Sequence, residues 1–183
     1  MIAREPISNL AQSLQRVRSG EGTNLEVIQW LRAVNAIAST VPVPETHDSC
    51  RGYTRTLLHK SDLFEILVLH WLPGCASSIH DHGGANCWLA VSSGTMGVEN
   101  YLRYDAGEAP GYARIALEGR EELPPGAIDY RQDDVHLHRC VAREPCVTLH
   151  VYARPIEQFH AFDERAHTCS IVTSTYDAVL TSN

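Results

Sequence analysis

The sequence predicts a mainly β protein, an antiparallel barrel or sandwich preceded by two helices. Three observations carry that prediction. Apolar residues recur at intervals of three and four over the first 40 or so positions. From Arg51 the period changes to two. Thereafter short segments rich in β-branched and aromatic residues follow one another, bounded by Gly, Pro, Ser or Asp, with no helical pattern between them.

In chain order, Leu10, Leu14 and Val17 mark the core face of a first helix, and Val27, Ile28, Leu31, Val34 and Ile37 that of a second. "GEGTN" at 20–24 separates them and offers Thr23 or Asn24 as an N-cap. "STVPVPETHDS" at 39–49 then ends helical structure with two prolines. The strand-like segments are 51–58, 63–72, 87–92, 96–104 and 146–153. "SSG" at 92–94 reads as a hairpin turn and "PPG" at 124–126 as a turn before another strand. The division expected is a helical segment, 1–45, packed on a barrel, 46–183, as one structural domain.

At 183 residues the chain can bury a core without disulfides or association, so a monomer suffices. A formal charge of −7 with no Lys/Arg run argues against a nucleic-acid partner. No apolar stretch approaches the roughly 20 residues that span a bilayer, which argues against a membrane partner. "MIAREPISNLAQ" lacks the apolar core of a secretion signal, so the expected location is the cytoplasm. The cysteines, Cys50, Cys75, Cys87, Cys140, Cys146 and Cys169, are scattered without a C-x-x-C pair, as expected of buried free thiols.

The ten histidines are the chemical signal. His80 and His82 in "IHDHGG" are two apart and project together from an extended segment. His136 and His138 in "DDVHLHRC" repeat the spacing, and periodicity does not say which of them is a ligand. In "CVTLHVYARP", Thr148, His150 and Tyr152 share one strand face and Val147, Leu149 and Val151 the other, so a polar row points inward or outward as a unit. Any one of these histidines alone reads as a surface residue on a polar strand face. Two H-x-H pairs plus a histidine in an apolar strand favour a three-histidine metal site. Imidazole suits iron, zinc, copper and nickel, whereas magnesium and calcium prefer oxygen.

"GCASSIHDHGGANCWLAVSSG" resembles the first cupin motif, with Cys87 at its glutamate position and Gly94 as its closing glycine. With "YTRTLL" at 53–58, "HLHR" at 136–139, "TLHVY" at 148–152 and "FHAFD" at 159–163, the chain from about Arg51 to Asp163 resembles the cysteine dioxygenase family. The second cupin motif departs from the pattern: no P-x-G precedes His138, and Ala142 stands at the usual asparagine position.

The resemblance implies a small cupin (jelly-roll) barrel with Fe(2+) held by His80, His82 and His138, acting on L-cysteine and O2 to give cysteine sulfinic acid. It assigns Arg55 to the substrate carboxylate, with Tyr53 on the same strand face shaping that end. It makes Thr148, His150 and Tyr152 a catalytic relay, with threonine replacing the family's serine, and pairs Cys87 with Tyr152 in a thioether, so that the cysteine is not a ligand. Arg55 with Cys87 points to cysteine, since relatives acting on 3-mercaptopropionate typically carry glutamine at the position of Arg55. The competing functions are dioxygenation of another small thiol acid or a cysteine-derived pathway thiol, a non-enzymatic cupin that binds a metal or small molecule, and a zinc hydrolase or hydratase.

Overall fold

Two helices and twelve strands make up the described residues, 4–45, 51–132 and 136–180 of the computed structural model. Helix α1 spans Arg4–Arg18 and α2 Asn24–Ala38. Thr23 is the N-cap of α2, its hydroxyl accepting from the Glu26 amide at 3.4 Å. Part of the proline-containing linker, 46–50, lies outside the described residues, and Cys50 with it.

The strands form two six-stranded sheets. One contains, in spatial order, β12 (Ala178–Val179), β1 (Tyr53–Lys60), β2 (Glu65–Trp71), β9 (Cys146–Ala153), β4 (Asn86–Ser93) and β7 (Ile128–Arg131). The other contains β11 (Thr168–Thr173), β10 (Gln158–Asp163), β3 (Ile79–His80), β8 (Leu137–Ala142), β5 (Met96–Arg103) and β6 (Ile115–Leu123). Neighbours are antiparallel except β1 and β12. Most successive strands alternate between the sheets, which is the jelly-roll arrangement of a cupin.

That alternation corrects the reading of "SSG". The 92–94 turn joins no hairpin, because β4 pairs with β9 and β7 while β5 pairs with β6 and β8; it carries the chain from one sheet to the other. Gly94 is needed there: its φ is +73°, and a Cβ would lie 2.3 Å from the Pro145 carbonyl oxygen.

Strand alternation sends the buried apolar residues of the first sheet's central strands to one of two cores. Ile66, Val68, Trp88, Ala90, Leu149 and Val151 pack outward with Leu10, Leu14, Val27, Leu31 and Val34 of the helices. Leu67, Leu69, Cys87, Leu89, Val91 and Tyr152 face inward against Met96, Val98 and Cys140 of the second sheet. The polar row of β9 therefore points inward, between the sheets. Among the described residues no helix is long and apolar enough to cross a membrane.

Candidate active site

Register in the second sheet sets the histidines. His80 of β3 stands opposite His138 of β8, and His82 follows in the turn after β3. Buried Asp81 fixes this turn, its carboxylate accepting from the amides of Gly83 (3.2 Å) and His160 (2.8 Å) and lying 2.8 Å from His160 Nδ1. Gly83 has φ +57°, and a Cβ there would meet the Gln158 carbonyl oxygen at 2.5 Å.

His80 Nδ1 lies 2.9 Å from the Ser78 carbonyl, which can only accept, so Nδ1 carries the proton and Nε2 keeps its lone pair. Nε2 of His82 and Nε2 of His138 are 3.2 Å apart, and ligand atoms of all three imidazoles lie within 4.8 Å of one another. Burial pushes the pKa values of all three rings down, those of His82 and His138 well below the ordinary value, so all are neutral donors. Two nitrogens bound to one ion at about 2.0–2.1 Å, at angles of about 90–110°, are about 2.8–3.4 Å apart. The His82–His138 spacing fits this, and without an ion the same 3.2 Å contact is a hydrogen bond in which one Nε2–H donates to the other Nε2.

The facing wall belongs to the first sheet. The Trp71 indole donates to Thr148 Oγ1 at 2.8 Å, Thr148 Oγ1 lies 2.9 Å from His150 Nε2, and His150 Nδ1 lies 3.1 Å from the Tyr152 hydroxyl. Fully buried Thr148 accepts from Trp71 and gives its one hydrogen to Nε2, which places the imidazole proton on Nδ1. Nδ1–H then donates to the phenol oxygen and leaves the Tyr152 hydrogen free to point at a ligand. Burial, with Arg55 nearby, lowers the His150 pKa to about 3, so the ring is neutral. Burial holds the Tyr152 phenol well above its ordinary pKa.

Cys87 and Tyr152 are direct cross-strand partners of β4 and β9 and share the inner face. Cross-strand Cβ atoms lie about 4.5–5.5 Å apart, within reach of a link from Sγ to the phenol ring. Burial raises the Cys87 pKa well above its ordinary value, so it is a thiol, not a thiolate, in this environment.

Both walls line one cavity of about 50 Å³, room for a few waters or one small organic molecule. Arg55 and Tyr53 line its β1 side, and Leu69, Ile156 and Phe159 supply apolar wall. Tyr53 stacks on Trp71 at 4.3 Å between centroids, and burial raises its pKa.

The structure thus brings to one cavity the side chains of Tyr53, Arg55, His80, His82, His150 and Tyr152, with Thr148 bonded to His150, Cys87 opposite Tyr152 across the strands, and His138 beside His82 but not lining the cavity. His136 is not among them: it is exposed, precedes β8, and borders a separate polar depression with Glu118 and Asp129. Sequence reasoning missed Trp71, which shares the inward alternation of Leu67 and Leu69, and the Asp81–His160 clamp, whose long-range pairing has no local signal. Cys75, Cys87, Cys140, Cys146 and Cys169 are free.

The sequence matches the family cysteine dioxygenase type I over residues 4–165, so the likeness extends through both helices as well as the strands. Cysteine dioxygenase type 1 of Rattus norvegicus is 29% identical over 175 residues, covering 93% of this chain and 85% of the relative. The Homo sapiens enzyme of the same name is 27% identical with the same coverage. A cupin superfamily protein of Desulfitobacterium hafniense superposes with a TM-score of 0.47 at 13% identity, over 66% of this chain and 89% of that one. A match that takes in both helices and all but the last strands makes this chain a member of the cysteine dioxygenase type I family, and so a thiol dioxygenase-like oxidoreductase.

Proposed function

We propose that the protein is an iron(II)-dependent cytoplasmic dioxygenase that converts L-cysteine and O2 to cysteine sulfinic acid, both oxygen atoms ending on sulfur. The observation that carries this reading is the cluster of three imidazoles, His80, His82 and His138, two of which line a small cavity together with Arg55 and Tyr152.

His80, His82 and His138 would hold the iron. Bound iron(II) would supply open coordination positions and the one-electron chemistry that O2 requires. Arg55 pairs with the substrate carboxylate, a task suited to a planar, permanently charged fork. Tyr53 confines that end by stacking on Trp71. The Trp71–Thr148–His150 chain holds the Tyr152 phenol oxygen as an acceptor, so that the phenol hydrogen is directed at sulfur or oxygen of the reactants. Leu69, Trp71 and Phe159 exclude bulk water from the reacting sulfur.

Cys87 and Tyr152 form a thioether, Sγ replacing a ring hydrogen as O2 takes up the two hydrogens removed. The link fixes the phenol and adds no ligand. Their direct register supports the pairing.

The deciding experiment is O2 uptake on adding L-cysteine to protein reconstituted with iron(II) or with zinc. Stoichiometric sulfinate from the iron form alone is the expected result. Equal uptake with 3-mercaptopropionate and none with L-cysteine assigns the enzyme to another small thiol acid, the second substrate considered. Hydrolytic turnover by the zinc form overturns both.

A further inference from the structure

We propose that the C-terminal segment Ser174–Leu180 is a specificity strap: it fixes which edge of the Arg55 guanidinium faces the cavity, and so selects small thiols that carry a carboxylate. The inference rests on reading Arg55 as the carboxylate partner. The segment lies beyond residue 165, where the family match ends, so it is a feature this match does not cover.

The strap lies along β1. Its backbone follows that strand in parallel, Ala178 beside Thr56 and Val179 beside Leu57, with the Asp177 amide donating to the Arg55 carbonyl and the Leu180 amide to the Leu57 carbonyl, each at 2.8 Å. So short a parallel pairing is weak by itself, and side chains hold it. Asp177 accepts from the Arg55 amide at 2.7 Å and from the Arg51 guanidinium at 2.6 Å. The Ser174 amide donates to the Glu157 carbonyl at 2.9 Å.

Tyr176 ties the strap to β1 and β2. Arg55 Cζ lies 5.8 Å and Lys60 Nζ 5.5 Å from its ring centroid, and its hydroxyl donates to Glu65 while accepting from Lys60. Glu65 is fully buried, and its other oxygen accepts from the amide of Ile156, a cavity-wall residue. Strap and cavity wall are therefore fastened to one carboxylate.

The consequence falls on Arg55. Its Nη1 donates to Ser174 Oγ at 2.9 Å and to the Thr175 carbonyl at 3.0 Å, which uses both Nη1 hydrogens. A guanidinium presents two bidentate edges, Nη1/Nη2 and Nε/Nη2. With Nη1 occupied, the Nε/Nη2 edge remains for a ligand among the described residues. Ser174 and Tyr176 are positioning residues for that edge, and a thiol lacking a carboxylate gains nothing from it.

The test measures anaerobic dissociation constants of L-cysteine and of its carboxylate-free analogue cysteamine by calorimetry on the iron-loaded full chain, with O2 uptake recorded separately. Ser174→Ala should weaken L-cysteine about three- to tenfold while cysteamine moves less than about twofold, and Ser174→Thr, which keeps the hydroxyl, should restore the first value. Tyr176→Phe should shift the L-cysteine to cysteamine ratio in the same direction. Equal weakening of both ligands, no weakening in Ser174→Ala, or failure of Ser174→Thr to rescue would overturn the proposal. An unaltered protein that shows no preference for L-cysteine would also overturn it, even with normal O2 uptake. A protein that keeps the preference but takes up no O2 would sink the proposed reaction and leave the strap standing on its binding ratio.

Discussion

The two faces of strand β9 were built from alternate residues of one eight-residue run, yet they serve different ends. Outward, Leu149 and Val151 lie fully buried against the two helices in a mainly apolar core. Inward, Thr148, His150 and Tyr152 are nearly as buried but form a hydrogen-bonded chain beside a cavity. Burial by itself therefore does not separate core from site. The outer face is stabilised by lost apolar surface, roughly 25 cal/mol per Å². The inner face gives up part of that gain to hold neutral polar groups in one protonation pattern, and the helix-backed outer face offsets the cost.

Substitutions on the two faces should therefore fail differently. The largest effect is expected at His138→Ala, which should release the metal and abolish turnover while the fold persists, whereas exposed His136→Ala should leave metal content and activity near their starting values. Metal analysis of the two purified variants checks this; the reverse pattern would exchange their roles. Next, Leu149→Ala on the outer face should cost about 2–5 kcal/mol of stability, a fall in Tm of roughly 5–15 °C, with little change in kcat/KM of the folded fraction. An activity loss larger than its stability loss would erase the distinction between the faces.

Arg55→Gln, at the cavity, should lower kcat/KM for L-cysteine about ten- to a hundredfold, the worth of a charge-assisted contact of order 1.5–3 kcal/mol, with Tm nearly unchanged. If the unaltered enzyme uses L-cysteine and cysteamine equally well, Arg55 is not a carboxylate clamp. The smallest effect is expected at Cys87→Ser, which should reduce turnover about three- to tenfold through lost preorganisation while keeping the metal. Intact-mass measurement should show the native protein lighter than its sequence by two hydrogens and the variant not. Metal loss in Cys87→Ser would make the cysteine a ligand, and an unlinked Cys87–Tyr152 pair after many turnovers would leave it as packing.

How much of this was legible varies with the range of the interaction. The two helices, the turn at 124–126 and strands such as β1, β2, β4, β5 and β9 follow from local periodicity and turn chemistry, because side-chain period is a property of a few consecutive residues. The edge strand β6, "IALEGREEL", escaped because its exposed face is charged, and the two-residue strands β3 and β12 are too short to carry a pattern. The turn at 92–94 looked local and was not: glycine and serine specify a tight reversal, but which strand the returning chain joins depends on partners far away in sequence.

The sequence by itself determined the donor types and the two-residue spacings that put histidines on common faces; its family resemblance implied His138 rather than His136, and it is His138 that the structure groups with His80 and His82. Tertiary structure alone decided that the β9 row points inward, because only the helices stacked on the other face make that side the apolar one. It also set in direct register the Cys87–Tyr152 pair that the resemblance names, and decided that Trp71 orients Thr148 and that residues beyond 165 grip Arg55. Each of those is a contact between segments brought together by strand register, and register is fixed by the whole sheet.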